Sequence, residues 1–254
     1  MWLYQTFYGA QNDRETFGAM FWHQSIGAAL LPLVAMVEIA FRNRMHHALS
    51  MLHGGQASGP WYGGGRNHMR LKTRIQRRID DLWNLKDDAG HRLIQSVDDF
   101  ISESTFGLWI EVAYELQPDR RYRFCKLVIP GYPLLADRAA WTAPGRSWMP
   151  LVRRFERHKA FRDCIAHHRP LWKIPFEPAV GVSSILPSGP GALLLSLRHQ
   201  ATALRASLEQ MEPGLVDFWD GPRRVAFDQL TTLASLHASM GRSHPPPPAA
   251  ADAA

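Results

Sequence analysis

Residues 17 to 52 form one strongly apolar stretch, and its internal spacing limits what this chain can fold into. From Leu33 to Leu52, large apolar residues such as Leu33, Val37, Phe41, Met45 and Leu49 recur three and four positions apart, the repeat of one helix face. Pro32 is expected to begin or kink this half of the stretch, because its ring removes a backbone donor and crowds the preceding turn. The run from Ile26 to Ala40 is shorter than the roughly 20 residues a membrane-crossing helix needs, and it contains Pro32 and Glu38. It also lies too far behind a polar start to read as a signal peptide. It therefore reads as a buried core helix, and no membrane partner is expected.

The rest of the chain continues the helical theme. Between His68 and Trp83, Leu71, Ile75, Ile79 and Leu82 fall on one side and Arg70, Arg74, Arg77 and Arg78 on the other. A third helix is expected from about Val97 to Leu116, stopped by Pro118, and a fourth from a Ser147 cap to the break at Pro170. Two further helical stretches run from Ala192 to Met211 and from Pro213 to His237. No useful period-two alternation occurs, so strands should be few and the fold all-α. The expected organisation is a helical domain over residues 1–178, a helical extension over 179–241 and a tail over 242–254 too rich in proline and alanine to fold.

With 254 residues, 46% of them hydrophobic, the chain can bury a substantial core. Its net charge is +6, and only five of its 29 basic residues are lysine. Arginine presents a planar fork of donors that suits phosphate, so nucleic acid leads the list of partners. The arginine face of residues 70–78 is then either a solvated surface or a stripe that tracks RNA phosphates. Two cysteines, Cys125 and Cys164, are too few for a disulfide framework, which points to a reducing, cytoplasmic setting.

The residues FRDCIAHHRPLW, from Phe161 to Trp172, concentrate the chemistry. Arg162 and His167 are five apart, so a long arginine has to reach around the helix to meet the imidazole, whereas Asp163 and His167 are four apart and share a face. An Arg-x4-His spacing also occurs at Arg42/His47 and at Arg153/His158, the latter followed by Lys159 and assigned to a solvated surface. Asp163, Cys164, His167 and His168 could be read as metal ligands, but no second cluster with tight ligand spacing and no HExxH accompanies them, so no metal and no cofactor are expected. The glycines at 63 to 65 lack the strand before them and the Lys-Ser/Thr after them that a phosphate loop requires.

Three segments in order resemble the Abi-like (abortive infection) branch of the HEPN superfamily. RDCIAHHRPL, Arg162 to Leu171, is similar to that family's C-terminal Arg-Asn-x-Ile-Ala-His-His-x-Pro-Ile/Leu; VEIAFRNRMH, Val37 to His46, to its N-terminal Glu-x3-Arg-Asn-x-Ile/Met-His; and STFGLW, Ser104 to Trp109, to its central Thr-Phe-Gly-Phe/Leu-Trp. Asp163 stands where the family has asparagine, and Arg169 where it often has an acid. The resemblance implies a HEPN-like helical bundle and a metal-independent endoribonuclease, acting as a toxin or anti-phage effector. RNA would supply its own nucleophile, the 2′-hydroxyl.

In that reading Arg162 neutralises charge on the phosphorane, His167 transfers protons, Asp163 orients His167, and His168 binds RNA or packs at the helix end. Glu38, Arg42 and His46 either line the same cleft or form a buried polar network that locks two helices together. The family builds its cleft from two domains, which implies a homodimer, and such effectors are often restrained by an inhibitory protein or a small RNA. Two alternatives stand beside it: a non-catalytic RNA-binding protein that keeps the fold, and a structural helical protein whose histidines are core residues.

Overall fold

The computed structural model describes residues 2–53, 61–62, 69–136, 141, 148–176 and 184–242. The expected cap at Ser147, the glycines at 63 to 65 and the tail beyond residue 242 lie outside them. The apolar stretch is one helix, α2 (Asp13–His53), preceded by a short α1 (Trp2–Tyr8). Trp22, Ile26, Leu30, Leu33, Val37 and Phe41 are almost fully buried along one face of α2, as the spacing predicts. The opposite face is exposed and partly apolar at Phe17, Phe21, Leu31 and Ile39, so α2 is a core helix on one side only. Pro32 sits inside the helix without breaking it. The carbonyl four residues back, at the exposed Ala28, is the one it leaves without a backbone donor, and water can serve it there.

Nine more helices follow among the described residues: α3 (Thr73–Trp83), α4 (Val97–Glu103), α5 (Phe106–Tyr114), α6 (Pro118–Val128), α7 (Trp148–Ala166), α8 (Pro190–Met211), α9 (Asp217–Asp220), α10 (Pro222–Leu230) and α11 (Leu233–Ser239). The described chain is all-α. It contains no strand, only isolated antiparallel bridges at Lys86/Arg92 and Phe176/Ile185.

Several boundaries differ from those the sequence suggests. The helix expected over 97–116 is two, because Thr105 is extended and its hydroxyl accepts the Leu108 amide, starting α5 afresh. Pro118 opens α6 rather than merely ending a helix; it occupies the first turn, where a missing N–H costs nothing. Arg70 precedes α3, whose cap residue Lys72 is extended. The segment after Pro213 is broken into α9, α10 and α11, with Gly221 and Thr231 at the joints.

The chain divides into two units whose segments interleave: residues 1–33, 161–204 and 217–254 in one, 34–160 and 205–216 in the other. The first unit packs Trp22 and Ile26 of α2 with Phe161 and Ile165 of α7, Leu197 of α8 and Phe227 of α10 among its buried residues. The Trp22 indole donates to the Leu230 carbonyl at 2.9 Å and Arg198 to the Thr231 carbonyl at 2.8 Å, so two side chains close the end of α10. Gly18 allows α2 to lie directly against the Ser239 backbone, where any Cβ would overlap the carbonyl. The second unit is aromatic: Phe41 stacks on Phe155 at 4.0 Å and meets Phe106 edge-on at 5.5 Å, and Trp83 stacks on Phe100 at 5.4 Å.

Candidate functional site

In the first unit, α7 delivers the C-terminal signature at its own end. The last regular backbone bond runs from the His167 amide to the Asp163 carbonyl. His168 then adopts a left-handed backbone, φ 52°, its amide bonding back to the Ile165 carbonyl at 3.2 Å and the Arg169 amide to the Cys164 carbonyl at 2.8 Å. This pair of bonds is the Schellman ending, usually built on glycine. Histidine tolerates the left-handed region better than most residues, at a cost of about 1 kcal/mol. Pro170 follows where the helix can no longer continue.

Behind this turn, the Leu171 amide donates to Nε2 of His23 on α2 at 3.2 Å, and the other ring nitrogen, Nδ1, lies 3.1 Å from the Tyr8 hydroxyl. Nε2 therefore accepts and Nδ1 carries the proton. Burial pushes His23 down to about 4, only partly offset by the Arg169 carbonyl, so the ring is neutral. Trp172 completes the packing, stacked on Phe7 at 4.4 Å and edge-on to Tyr4 at 4.9 Å. The segment after the two histidines is thus clamped by α1 and α2.

The side chains at this helix end are set as follows. Arg162 Nη1 pairs with Asp163 Oδ1 at 3.0 Å, both side chains about three-quarters covered. The backbone carbonyl of Asp163 holds the His167 amide, and its carboxylate engages Arg162. His167 and His168 are both exposed. Nδ1 of His168 lies 2.7 Å from Oε1 of Gln24 on α2. Cys164 is half-buried and its thiol is raised by burial, so it remains protonated and is a poor nucleophile. Among the described residues, no three histidine, cysteine or acidic side chains come together as a metal site.

The N-terminal and central signatures both lie in the second unit, and they explain each other. Arg42 Nη1 donates to the Ser102 carbonyl at 2.7 Å and to the Ser104 carbonyl at 2.9 Å, which places a cation on the end of α4 where the helix dipole is negative. Ser104 Oγ accepts the Trp109 indole N–H at 2.6 Å and donates to Ile101. His46 accepts the Trp61 indole N–H on Nδ1 at 3.2 Å, which leaves Nε2 as the donor toward Ser50 Oγ at 3.3 Å. Its ring sits edge-on to Trp109 at 6.5 Å. Burial lowers the His46 pKa, against the pull of Asp98. Glu38 lies half-buried one helical turn before Arg42. For Arg42 and His46 the contacts are those of a polar network that fixes α2 to the α4–α5 corner.

The arginine face is divided. Arg78 reaches Glu111 at 2.6 Å and Thr105 Oγ1 at 3.3 Å, and Arg74 reaches Glu111 at 3.2 Å, so these two bridge α3 to α5. Arg70 and Arg77 are exposed. Lys72 adds a bridge to Glu115 at 2.7 Å.

Two features escaped the sequence. His158, expected on a solvated surface, is only 1% exposed, with Nε2 2.9 Å from Ser207 Oγ; burial followed by Arg154 and Arg157 pushes it down to about 3. The other is His23 with Gln24. A polar pair inside the mostly apolar FWHQSIG was the available signal. No protein-family model matches this chain, no curated protein matches it, and no solved structure matches it.

Proposed function

We propose that the protein is a metal-independent endoribonuclease of the HEPN type, working at the C-terminal end of α7. The observation that carries this reading is the grouping of a partly exposed arginine, Arg162, with two exposed histidines, His167 and His168, on a rigidly terminated helix end. The reaction needs only these residue types. One imidazole takes the proton of the 2′-hydroxyl, and the oxygen's electron pair forms a new bond to the adjacent phosphorus. The bond from phosphorus to the 5′-oxygen breaks, and that oxygen leaves with the bonding pair and takes up a proton from a second acid. A guanidinium beside the phosphorus offsets the charge that gathers on the non-bridging oxygens. The products are a 2′,3′-cyclic phosphate and a 5′-hydroxyl.

Exposed arginines such as Arg70 and Arg77 would hold the RNA backbone, and two copies of the chain would assemble the cleft, as the family resemblance implies. A toxin or anti-phage role in the cytoplasm, restrained by an inhibitory protein or small RNA, belongs to the same reading. A second reading has its own support. The Asp163 carboxylate at 3.0 Å from Arg162 already neutralises the cation that the phosphate would need, which favours an RNA-binding protein without cleavage.

The test is digestion of a mixed RNA pool in EDTA by wild type, Arg162→Ala and His167→Ala, with product ends mapped. Cyclic-phosphate ends from wild type alone establish the enzyme. Salt-dependent RNA binding without cleavage by any of the three sinks it in favour of the second reading.

A further inference from the structure

The two histidines that end α7 are adjacent in sequence but are held in different ways. His167 still belongs to the helix through its amide, whereas His168 lies beyond it, with a left-handed backbone that turns its ring toward α2. There Nδ1 is 2.7 Å from Oε1 of Gln24. An amide oxygen can only accept, so the proton between them resides on Nδ1 in both the neutral and the protonated ring. Gain and loss of a proton are thereby left to Nε2.

Gln24 follows His23 on α2, beside the aromatic cluster that clamps the chain after the helix end: Tyr4 is buried in α1, edge-on to Trp172 at 4.9 Å and to His23 at 5.7 Å. Burial raises the Tyr4 pKa, and the Gln24 side chain partly offsets that rise.

We propose that Gln24 is a positioning residue that fixes His168 as the Nδ1–H tautomer and presents its Nε2 as the proton-transfer atom for an RNA 2′-hydroxyl. The choice of RNA rests on the ribonuclease reading; the tautomer and its dependence on Gln24 do not. On these grounds His168, rather than His167, is the better-organised base, because a ring with one nitrogen anchored loses less freedom on reaching the reactive geometry.

The experiment is 15N NMR of the histidine rings in the full chain at pH 8, beside RNA cleavage in EDTA, for wild type, Gln24→Leu and Gln24→Glu. Glutamate keeps an acceptor for Nδ1–H, and leucine removes it. The expected result is a His168 signal of the Nδ1–H form in wild type and Gln24→Glu. In Gln24→Leu that form should no longer dominate, and cleavage should fall on the order of tenfold or more. A His168 ring protonated on Nε2 in wild type, or a tautomer indifferent to Gln24→Leu, overturns the positioning role. The expected tautomers with no cleavage by any protein uphold the tautomer and remove its catalytic use, which separates failure of this inference from failure of the ribonuclease reading.

Discussion

The chain carries two Arg-His signatures of similar wording, and the structure uses them for different ends. In RNRMH of the second unit, Arg42 closes the end of α4 on two carbonyls and His46 has both ring nitrogens engaged by Trp61 and Ser50. In RDCIAHH of the first unit, Arg162 pairs with Asp163 at 3.0 Å with about a quarter of its side chain exposed, and both histidines are exposed, His168 with one ring nitrogen held by Gln24. The difference lies in position along the helix. The first signature falls in the middle of α2, with neighbouring elements packed around it; the second falls where α7 stops, and a helix end offers exposed directions that a helix middle does not.

The sharpest way to break this comparison is to exchange the readouts. Arg162→Ala and His167→Ala should lower RNA cleavage on the order of 10²-fold or more while leaving thermal unfolding nearly unchanged. An equal loss of cleavage and of melting temperature in these variants would erase the distinction.

Acid provides the next test, through the clamp behind the second signature. The folded-state pKa of His23, about 4, lies below the ordinary histidine value. Its neutral form supports the fold fully above pH 6.5, and that support is lost as the pH falls from about 6.5 to 4. The loss is on the order of 3 kcal/mol. His158, pushed down to about 3, adds a loss of the same sign in the second unit. Urea unfolding at pH 7 and at pH 4.5 measures the sum, and a His158→Leu variant should show the shallower dependence.

Arg42→Ala should cost about 2–3 kcal/mol by denaturant unfolding, since two carbonyls at a helix end lose a charged donor. Trp109→Phe, which removes the bond to Ser104 and part of the buried ring packed against His46 and Trp61, should cost about 2 kcal/mol. The smallest effect concerns RNA affinity. Replacing Arg70 and Arg77 with alanine should reduce the slope of log affinity against log salt by about 1 each, whereas Arg78→Ala, with its charge committed to Glu111, should change the slope less and stability more.

Much of this arrangement was legible in the sequence because the relevant signals are local. The spacing from Leu33 to Leu49 announced the buried face of α2, and HHRP announced a helix end. The break at Ser104 and Thr105 was harder to see, because apolar periodicity continues across it while a single threonine hydroxyl decides where α5 begins. Residues RRFERHK look solvated as a string, yet His158 is buried, because the packing of α8 decides its environment and no local pattern reports that. The partners of His168 were invisible for the same reason: Gln24 lies 144 positions away, and only the folded chain brings the two together.

The left-handed backbone at His168 also has an evolutionary side. Glycine would relax that turn, and His168→Gly should raise stability by up to about 1 kcal/mol, less whatever the bond to Gln24 contributes. A chain selected for robustness alone would drift toward glycine at this position. The ring of His168 therefore comes with a small backbone strain that a glycine would release, a cost set against its bond to Gln24.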